Sequence, residues 1–221
     1  MIRLSLLALA FSLFLPLTTP AALAGLAVSF ETNGVRVTGV THGGKVVAAS
    51  IDRQPPREVI TTTGVVTDRD NDGEVLIPIK DGFTISDRAI YAVVDVTSGQ
   101  YVVANKVDGV INALQTQERA QTQAIKANAA GQFDRFVVDE SGVDALIVRP
   151  GTGAWSTRGA DGEVGDADQI QDRKFEIQFE DTPPISNFPP APRLFANNDL
   201  IIILNPGTME VQVTKVTGVT Q

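Results

Sequence analysis

The amino-acid sequence predicts a mainly β protein, folded as an antiparallel sandwich or barrel, and three observations carry this prediction. Short runs of Val, Ile, Thr and Phe recur along the 221 residues. Gly, Asp, Asn and Pro interrupt these runs about every eight to twelve residues, which is the spacing of strands and turns in all-β folds. Hydrophobic residues make up 43% of the chain and charged residues 20%, a globular composition that fits neither a disordered chain nor a membrane-embedded one.

The first 24 residues have the features of a secretory signal. Arg3 supplies one positive charge, Leu4 to Leu17 is a nearly unbroken apolar run, and Ala22-Leu23-Ala24 is a small-x-small cleavage site. The apolar run is shorter than the roughly 20 residues that cross the hydrocarbon of a bilayer, so we expect no stable membrane insertion. We therefore predict cleavage after Ala24 and a secreted or periplasmic protein.

The charge and the sulfur content narrow the function classes. After removal of the signal, 17 basic residues face 26 acidic ones, a net charge of −9 that disfavours nucleic acid as a partner. The chain has no Cys and one His, which excludes disulfides, thiol nucleophiles and zinc sites built from several His or Cys.

We expect residues 25–221 to form one β domain, or two packed halves of about 25–105 and 132–221. The partner is expected to be a protein or a polysaccharide, which the sequence does not identify.

Candidate strands follow from period-two alternation between turn residues. They cover residues 35–40, 45–51, 58–66, 74–79, 90–96, 101–104, 133–139, 145–148, 174–179, 200–204 and 209–216. His42-Gly43-Gly44 and Asn205-Pro206-Gly207 predict hairpin turns between neighbouring strands. Leu200 to Leu204 is apolar at every position, so we expect this strand to be central and buried on both faces.

One stretch predicts a helix instead. Residues 108–130 are rich in Ala, Gln and Asn, have no β-branched run after Ile111, and stop at Gly131, a residue type that often follows a helix. An interrupted apolar stripe at helical spacing comprises Val110, Leu114, Ala124 and Ile125. We expect one helix inserted over about 108–130, with a long loop as the alternative.

The sharpest motif is Asp68-Arg69-Asp70-Asn71-Asp72-Gly73. Carboxylates at every second position of a tight loop repel one another, and a hard cation that takes six to eight oxygen ligands relieves this repulsion. The motif resembles the DxDxDG loop of the EF-hand, dockerin and thrombospondin type 3 families, and the resemblance implies a Ca²⁺-type loop. It covers about six residues. The twelfth position is Ile79, where an EF-hand has a bidentate Glu, and the predicted flanks are strands.

The predicted ligands of Ca²⁺ are the side chains of Asp68, Asp70 and Asp72, together with Glu74 through its backbone carbonyl. A bare hairpin turn without metal is the alternative, because Asn, Asp and Gly are also favoured in such turns.

A second acidic loop follows Trp155 in the sequence. It contains Asp161, Asp166, Asp168 and Asp172, which together could hold another cation. The spacing matches no defined motif, so a solvated acidic loop is the alternative. Weak calcium sites of ~10⁻⁴ to 10⁻³ M affinity are typical of extracellular modules.

Residues suited to catalysis are few. His42 is the only imidazole and lies in a predicted turn, and the chain has no GxSxG, GxxxxGK[ST] or HExxH motif. We expect a non-enzymatic binding or structural module. Two alternatives stay open: a carbohydrate-binding module that stacks a sugar on Trp155, with Tyr91 and Tyr101 as further rings, and a glycoside hydrolase, whose paired carboxylates leave no fixed spacing.

The chain also resembles secreted bacterial Ig-like proteins of unassigned role. The resemblance lies in the Gly- and Val-rich opening from Gly34 to Val46, followed by the Asp-rich loop, and covers mainly residues 34–100. It implies an Ig-like antiparallel β-sandwich and no particular function.

Overall fold

The computed structural model describes nine segments of the chain: residues 25–54, 57–79, 85–87, 89–107, 110–113, 117–118, 125–138, 143–157 and 175–219. These segments include parts of both predicted halves. The predicted signal of residues 1–24 and the second acidic loop, with Asp161, Asp166, Asp168 and Asp172, lie outside the described residues.

The regular structure of these segments is almost entirely β, which confirms the mainly β prediction. From β1 to β17 the strands are Ala27–Glu31, Gly34–Thr38, Lys45–Gln54, Arg57–Thr62, Val66–Thr67, Glu74–Pro78, Ile90–Asp95, Gln100–Val107, Val110–Ala113, Gln117–Glu118, Ile125–Ala127, Phe133–Val138, Asp144–Arg149, Gly153–Ser156, Phe175–Gln178, Leu200–Asn205 and Glu210–Lys215. A 3-10 turn covers Phe179–Asp181. No helix in the described segments has the length and hydropathy needed to span a membrane.

The strands form four sheets. The first has the order β1-β2-β6 and the second the order β4-β3-β7-β8-β9, with the short β5 also paired to β3. The third sheet is β10-β17-β16-β13-β14 and the fourth is β11-β12-β15. Neighbours are antiparallel, except that β10 runs parallel to β17.

Three apolar clusters join the sheets. The first and second sheets share one cluster, to which β2 contributes Val35 and β7 contributes Val93. The second and third sheets share another through residues such as Ala92 and Ile202. The third sheet meets the fourth around Phe136. Because successive side chains on a strand point to opposite faces, the central strands of the second and third sheets are buried on both sides.

The strand β16 shows this burial most clearly. Leu200, Ile202 and Leu204 belong to the cluster facing the second sheet, and Ile201 and Ile203 belong to the cluster facing the fourth. All five side chains are buried. The prediction of a central strand apolar on both faces is confirmed.

The two predicted hairpin turns differ in the structure. The turn after Leu200–Asn205 is confirmed, because β16 and β17 pair antiparallel and Asn205 Oδ1 accepts a hydrogen bond of 3.1 Å from Thr208 N. The hairpin at His42-Gly43-Gly44 is wrong. This segment joins β2 of the first sheet to β3 of the second, so it is a crossing between sheets. The glycines allow the chain to reverse direction, but side-chain packing determines which strands pair.

The helix predicted over 108–130 is wrong for the described residues of that stretch. Most of them form β9, β10 and β11, which pair with three different strands, and residues 129–130 form a turn. Ile125 is buried against Phe136, and its strand pairs with β12. Helix propensity is a weak preference, and here backbone pairing together with burial of an isolated apolar residue outweighs it.

Candidate metal centre

Two crossings between the first and second sheets meet at one end of the molecule. One crossing is residues 39–44, between β2 and β3. The other, residues 68–73, joins β5 to β6 and contains the Asp-rich motif. Val40 N donates to Gly73 O at 3.0 Å and Asp68 N donates to Gly44 O at 2.9 Å, so each crossing supports the other. The Asp loop therefore links two sheets and is not a simple hairpin.

Asp68 anchors both crossings with one carboxylate oxygen. Its Oδ2 accepts hydrogen bonds from Gly43 N at 3.2 Å and from Gly73 N at 3.1 Å. The residue is only 1% exposed. Gly44 allows the tight turn of the 39–44 crossing, since a Cβ on it would lie 2.5 Å from Thr41 O. One carboxylate of the site is therefore held in the interior by backbone hydrogen bonds.

The backbone of the loop turns the following acidic residues toward Asp68. Asn71 has φ 60° and Gly73 has φ 80°, both in the left-handed region that favours Asn and Gly. Asp72 Oδ1 accepts a 2.8 Å hydrogen bond from Glu74 N, which orients the Asp72 side chain at the start of β6. These features account for the sixth-place glycine of the motif.

The structure brings together three of the predicted ligands. Asp68, Asp70 and Asp72 each offer one carboxylate oxygen, and these oxygens lie within 4.8 Å of one another. Asp68 is buried, whereas Asp70 and Asp72 are exposed. Oxygens at these separations can surround one small cation, and the cluster could hold a metal ion.

A second observation points to a ligand at this cluster. Asp68 Oδ1 is inaccessible to solvent and has no hydrogen-bond partner among the described residues. A buried polar atom without a partner costs about 1–3 kcal/mol, and more when it is charged. Natural structures rarely leave such an atom unsatisfied. A cation shared with Asp70 and Asp72 would satisfy it.

The protonation of Asp68 is consistent with a cationic neighbour. Burial raises the pKa of Asp68, but the backbone N–H groups of Gly73 and Gly43 outweigh burial and hold the pKa below its ordinary value. The lowered pKa keeps Asp68 ionised at neutral pH, so the site holds an anionic carboxylate in the interior.

The fourth predicted ligand, Glu74, is placed differently from the three Asp residues. Its carboxylate accepts a 3.3 Å hydrogen bond from Arg36 Nη1 and is not among the converging carboxylates of the described residues. Gly73 O and Ile79 N both bond on the β2 side. Since this direction alternates along an antiparallel strand, the carbonyl of Glu74 points away from β2. Its role as a backbone ligand stays a prediction.

A neighbouring buried carboxylate, Asp95, was not identified from the sequence as part of this end of the fold. It is 0% exposed and accepts hydrogen bonds from Thr41 N at 2.9 Å, Thr97 N at 2.8 Å and Ser98 Oγ at 2.8 Å. It therefore ties the 39–44 crossing to the turn after β7. The only sequence signal is an Asp that opens the turn Thr97-Ser98-Gly99.

The alternative in which a sugar stacks on Trp155 does not fit the position of this side chain. Its side chain is 0% exposed, and its ring packs edge-on against Phe179 at 5.3 Å between centroids. Its indole N–H donates to Pro189 O at 2.8 Å. The segment preceding it is the start of β14, so Trp155 is a core residue with no free ring face. Tyr91 is also fully buried.

The other candidate residues are distributed as follows. His42 is exposed, and its ring covers Gly73, where an added Cβ would lie 3.8 Å from Nε2. The acidic residues of the second loop lie outside the described segments.

Comparison of the chain with protein-family models, with curated proteins and with solved structures gives no match.

Proposed function

We propose that this protein is an exported, non-enzymatic binding or structural module whose Asp68–Gly73 loop is organised by calcium. Two observations together support the proposal most strongly. A carboxylate oxygen from each of Asp68, Asp70 and Asp72 lies within 4.8 Å of the others, and the buried Oδ1 of Asp68 has no hydrogen-bond partner among the described residues. The donors are all oxygen atoms, and Ca²⁺ is the hard cation that binds such donors with variable geometry. Export, inferred from the N-terminal apolar run, would place the loop where calcium is abundant.

The proposed scaffold is an Ig-like sandwich made by the first two sheets. If β1 to β4 are equated with strands A, B, C and C′, and β6 to β8 with E, F and G, the sheet orders become A-B-E and C′-C-F-G, with β9 added beyond G. This order supports the Ig-like assignment, because Ig-type folds place A, B and E in one sheet and C, F and G in the other. The Asp loop is then the last part of the connection between C′ and E, after the short β5, at the same end as the B–C and F–G connections.

Limited proteolysis with trypsin tests the proposal. Arg69 lies inside the loop, and an ion that holds the loop closed should suppress local opening and cleavage after Arg69. Because the loop must release the ion before it opens, the rate of cleavage should fall as calcium rises. At a calcium concentration of about ten times Kd, the rate should be about tenfold lower. Arg193, with a side chain 84% exposed in the second half, is an internal control whose cleavage should not depend on calcium.

The matched variant is Asp72→Asn, which leaves the Arg69–Asp70 bond unchanged. Its amide oxygen can still accept the hydrogen bond from Glu74 N, so the loop keeps that contact while losing one charge. We expect the variant to be cleaved after Arg69 at a rate that calcium changes much less. Equal cleavage of the native protein with calcium and with chelator would contradict the proposal.

A further inference from the structure

The exposed side of the proposed cation site opens into a depression of about 420 Å³. Asp70 and Asp72 line both the carboxylate cluster and this depression. A ligand in the depression would therefore lie beside the proposed ion. Binding sites for small molecules have volumes of about 300–1,000 Å³, so the space is large enough for a ligand of one or two sugar rings.

The protein supplies fewer ligands than calcium takes. Three carboxylates and the predicted carbonyl of Glu74 make four donors, whereas Ca²⁺ takes about six to eight. The remaining positions must be filled by water or by an oxygen-rich ligand on the open side. A ligand oxygen that replaces water there would be bound directly to the ion.

One cation beside the depression has no ion-pair partner among the described residues. Arg69 is exposed and forms no ion pair within the described segments, whereas Arg36 is paired with Glu31 and Glu74. A divalent ion together with Arg69 would balance the three Asp carboxylates, while Arg36 is shared between Glu31 and Glu74 and leaves one negative charge there. An anionic group arriving at the open side then meets the ion and the guanidinium of Arg69, and direct coordination to the ion outweighs that single charge. Arginine suits carboxylates because it can donate two parallel hydrogen bonds.

The neighbouring strand edge disfavours an extended peptide as the occupant. Because backbone direction alternates along β6, the residues whose backbone groups point away from β2 are Glu74, Leu76 and Pro78. Glu74 N is already bonded to Asp72 Oδ1, and Pro78 has no N–H. Leu76 alone is left to donate, so a peptide could not pair regularly along this edge. A ligand that binds through hydroxyl and carboxylate groups needs no such pairing.

We propose that the cation site binds an acidic sugar, whose carboxylate and an adjacent ring hydroxyl complete the coordination of the ion while Arg69 contacts the carboxylate. The inference rests on the proposed calcium site. Ring hydroxyls can also donate to Asp70 and Asp72, which a peptide carboxylate cannot do. This places sugar recognition at the calcium loop, away from the buried Trp155.

Calorimetric titration of the protein with digalacturonate, at saturating calcium and with chelator, tests the inference. We expect binding with calcium and none with chelator. Arg69→Gln should weaken the affinity about tenfold, the equivalent of one good charge-assisted contact. Arg193→Gln, which removes an exposed charge at a residue that does not line the depression, should bind like the native protein. Since Arg69 makes no ion pair in the described segments, we expect its replacement to leave the fold intact, and circular dichroism checks this.

Two further probes decide the ligand class. The neutral disaccharide of galactose with the same linkage should bind at least tenfold more weakly, and so should a Glu-Glu dipeptide with blocked ends. Equal binding of either probe, or digalacturonate binding that persists with chelator, would overturn the inference. Calcium protection of the loop from trypsin without any digalacturonate binding would overturn the inference alone. Loss of that protection would remove both the inference and the proposed function.

Discussion

Calcium should raise the melting temperature of the protein through the Asp68–Gly73 loop, and the size of the rise can be worked from the site. Two of the three carboxylates are exposed, and the loop is anchored from the interior mainly by Asp68. A site with so few charges and one open side belongs to the weak extracellular class, with Kd of ~10⁻⁴ to 10⁻³ M. At about 5 mM calcium, linkage then stabilises the folded state by about 1–2.3 kcal/mol.

That free energy corresponds to a shift of about 2–9 °C, because 1 kcal/mol moves the melting temperature of a chain of this size by about 2–4 °C. The assay is calorimetric or fluorimetric melting of the protein with calcium and with chelator. Asp70→Asn should lose most of the shift, since Asp70 is exposed and its replacement disturbs no described contact outside the cluster. Asp181→Asn, an equal change of charge at an exposed position in the second half, should keep the shift.

An equal calcium shift in the native protein and in Asp70→Asn would refute the reasoning. It would mean that the ion acts elsewhere in the chain. A shift absent from both proteins would favour the metal-free loop.

Three other predictions concern the scaffold. Burial raises the pKa of Asp95, but hydrogen bonds from Thr41 and its other donors outweigh burial and hold the pKa below its ordinary value. The stability that Asp95 contributes is therefore fully present above its unfolded pKa of about 4 and is lost as pH falls through the lower folded pKa. Asp95→Ala should lower the free energy of unfolding by urea by about 3 kcal/mol at pH 7, since several donors lose their acceptor. The loss should be smaller at pH 3, and a loss that does not change with pH would contradict this role. Trp155→Ala should lower the free energy of unfolding by about 3–5 kcal/mol, because it leaves a cavity in the core and leaves Pro189 O without its hydrogen-bond donor. An exposed ring that binds a ligand could be removed with little change in stability. Burial raises the pKa of Tyr91 to about 12, so ultraviolet titration should show a phenol that ionises near that pH and is missing from Tyr91→Phe.

The strands with strong local patterns could be predicted from the sequence. Leu200 to Leu204 needs two buried faces whatever its neighbours are, so composition alone indicated a central strand. The Asp loop was located for a similar reason, because three acidic residues at alternate positions with a terminal Gly restrict the local conformation. In both cases the decisive information lies within about six consecutive residues.

The errors arose where distant residues decide the outcome. Ile125 lies in an Ala- and Gln-rich stretch that favours a helix locally, yet it is buried against Phe136 in a sheet. His42-Gly43-Gly44 permits a hairpin or a crossing, and the choice depends on the contacts of Asp68 and Asp95. Trp155 follows a Gly-rich segment that suggested a loop, but Gly153 is small so that the indole can lie over it, 3.0 Å from where a Cβ would be.

The most direct test of the calcium proposal is a crystal structure of the protein grown in millimolar calcium, with the ion identified by its anomalous scattering. We predict one ion bound by an oxygen of each of Asp68, Asp70 and Asp72 at about 2.3–2.6 Å, with Asp68 Oδ1 facing it. A structure at the same calcium concentration in which these carboxylates point apart, with only solvent between them, would contradict the proposal.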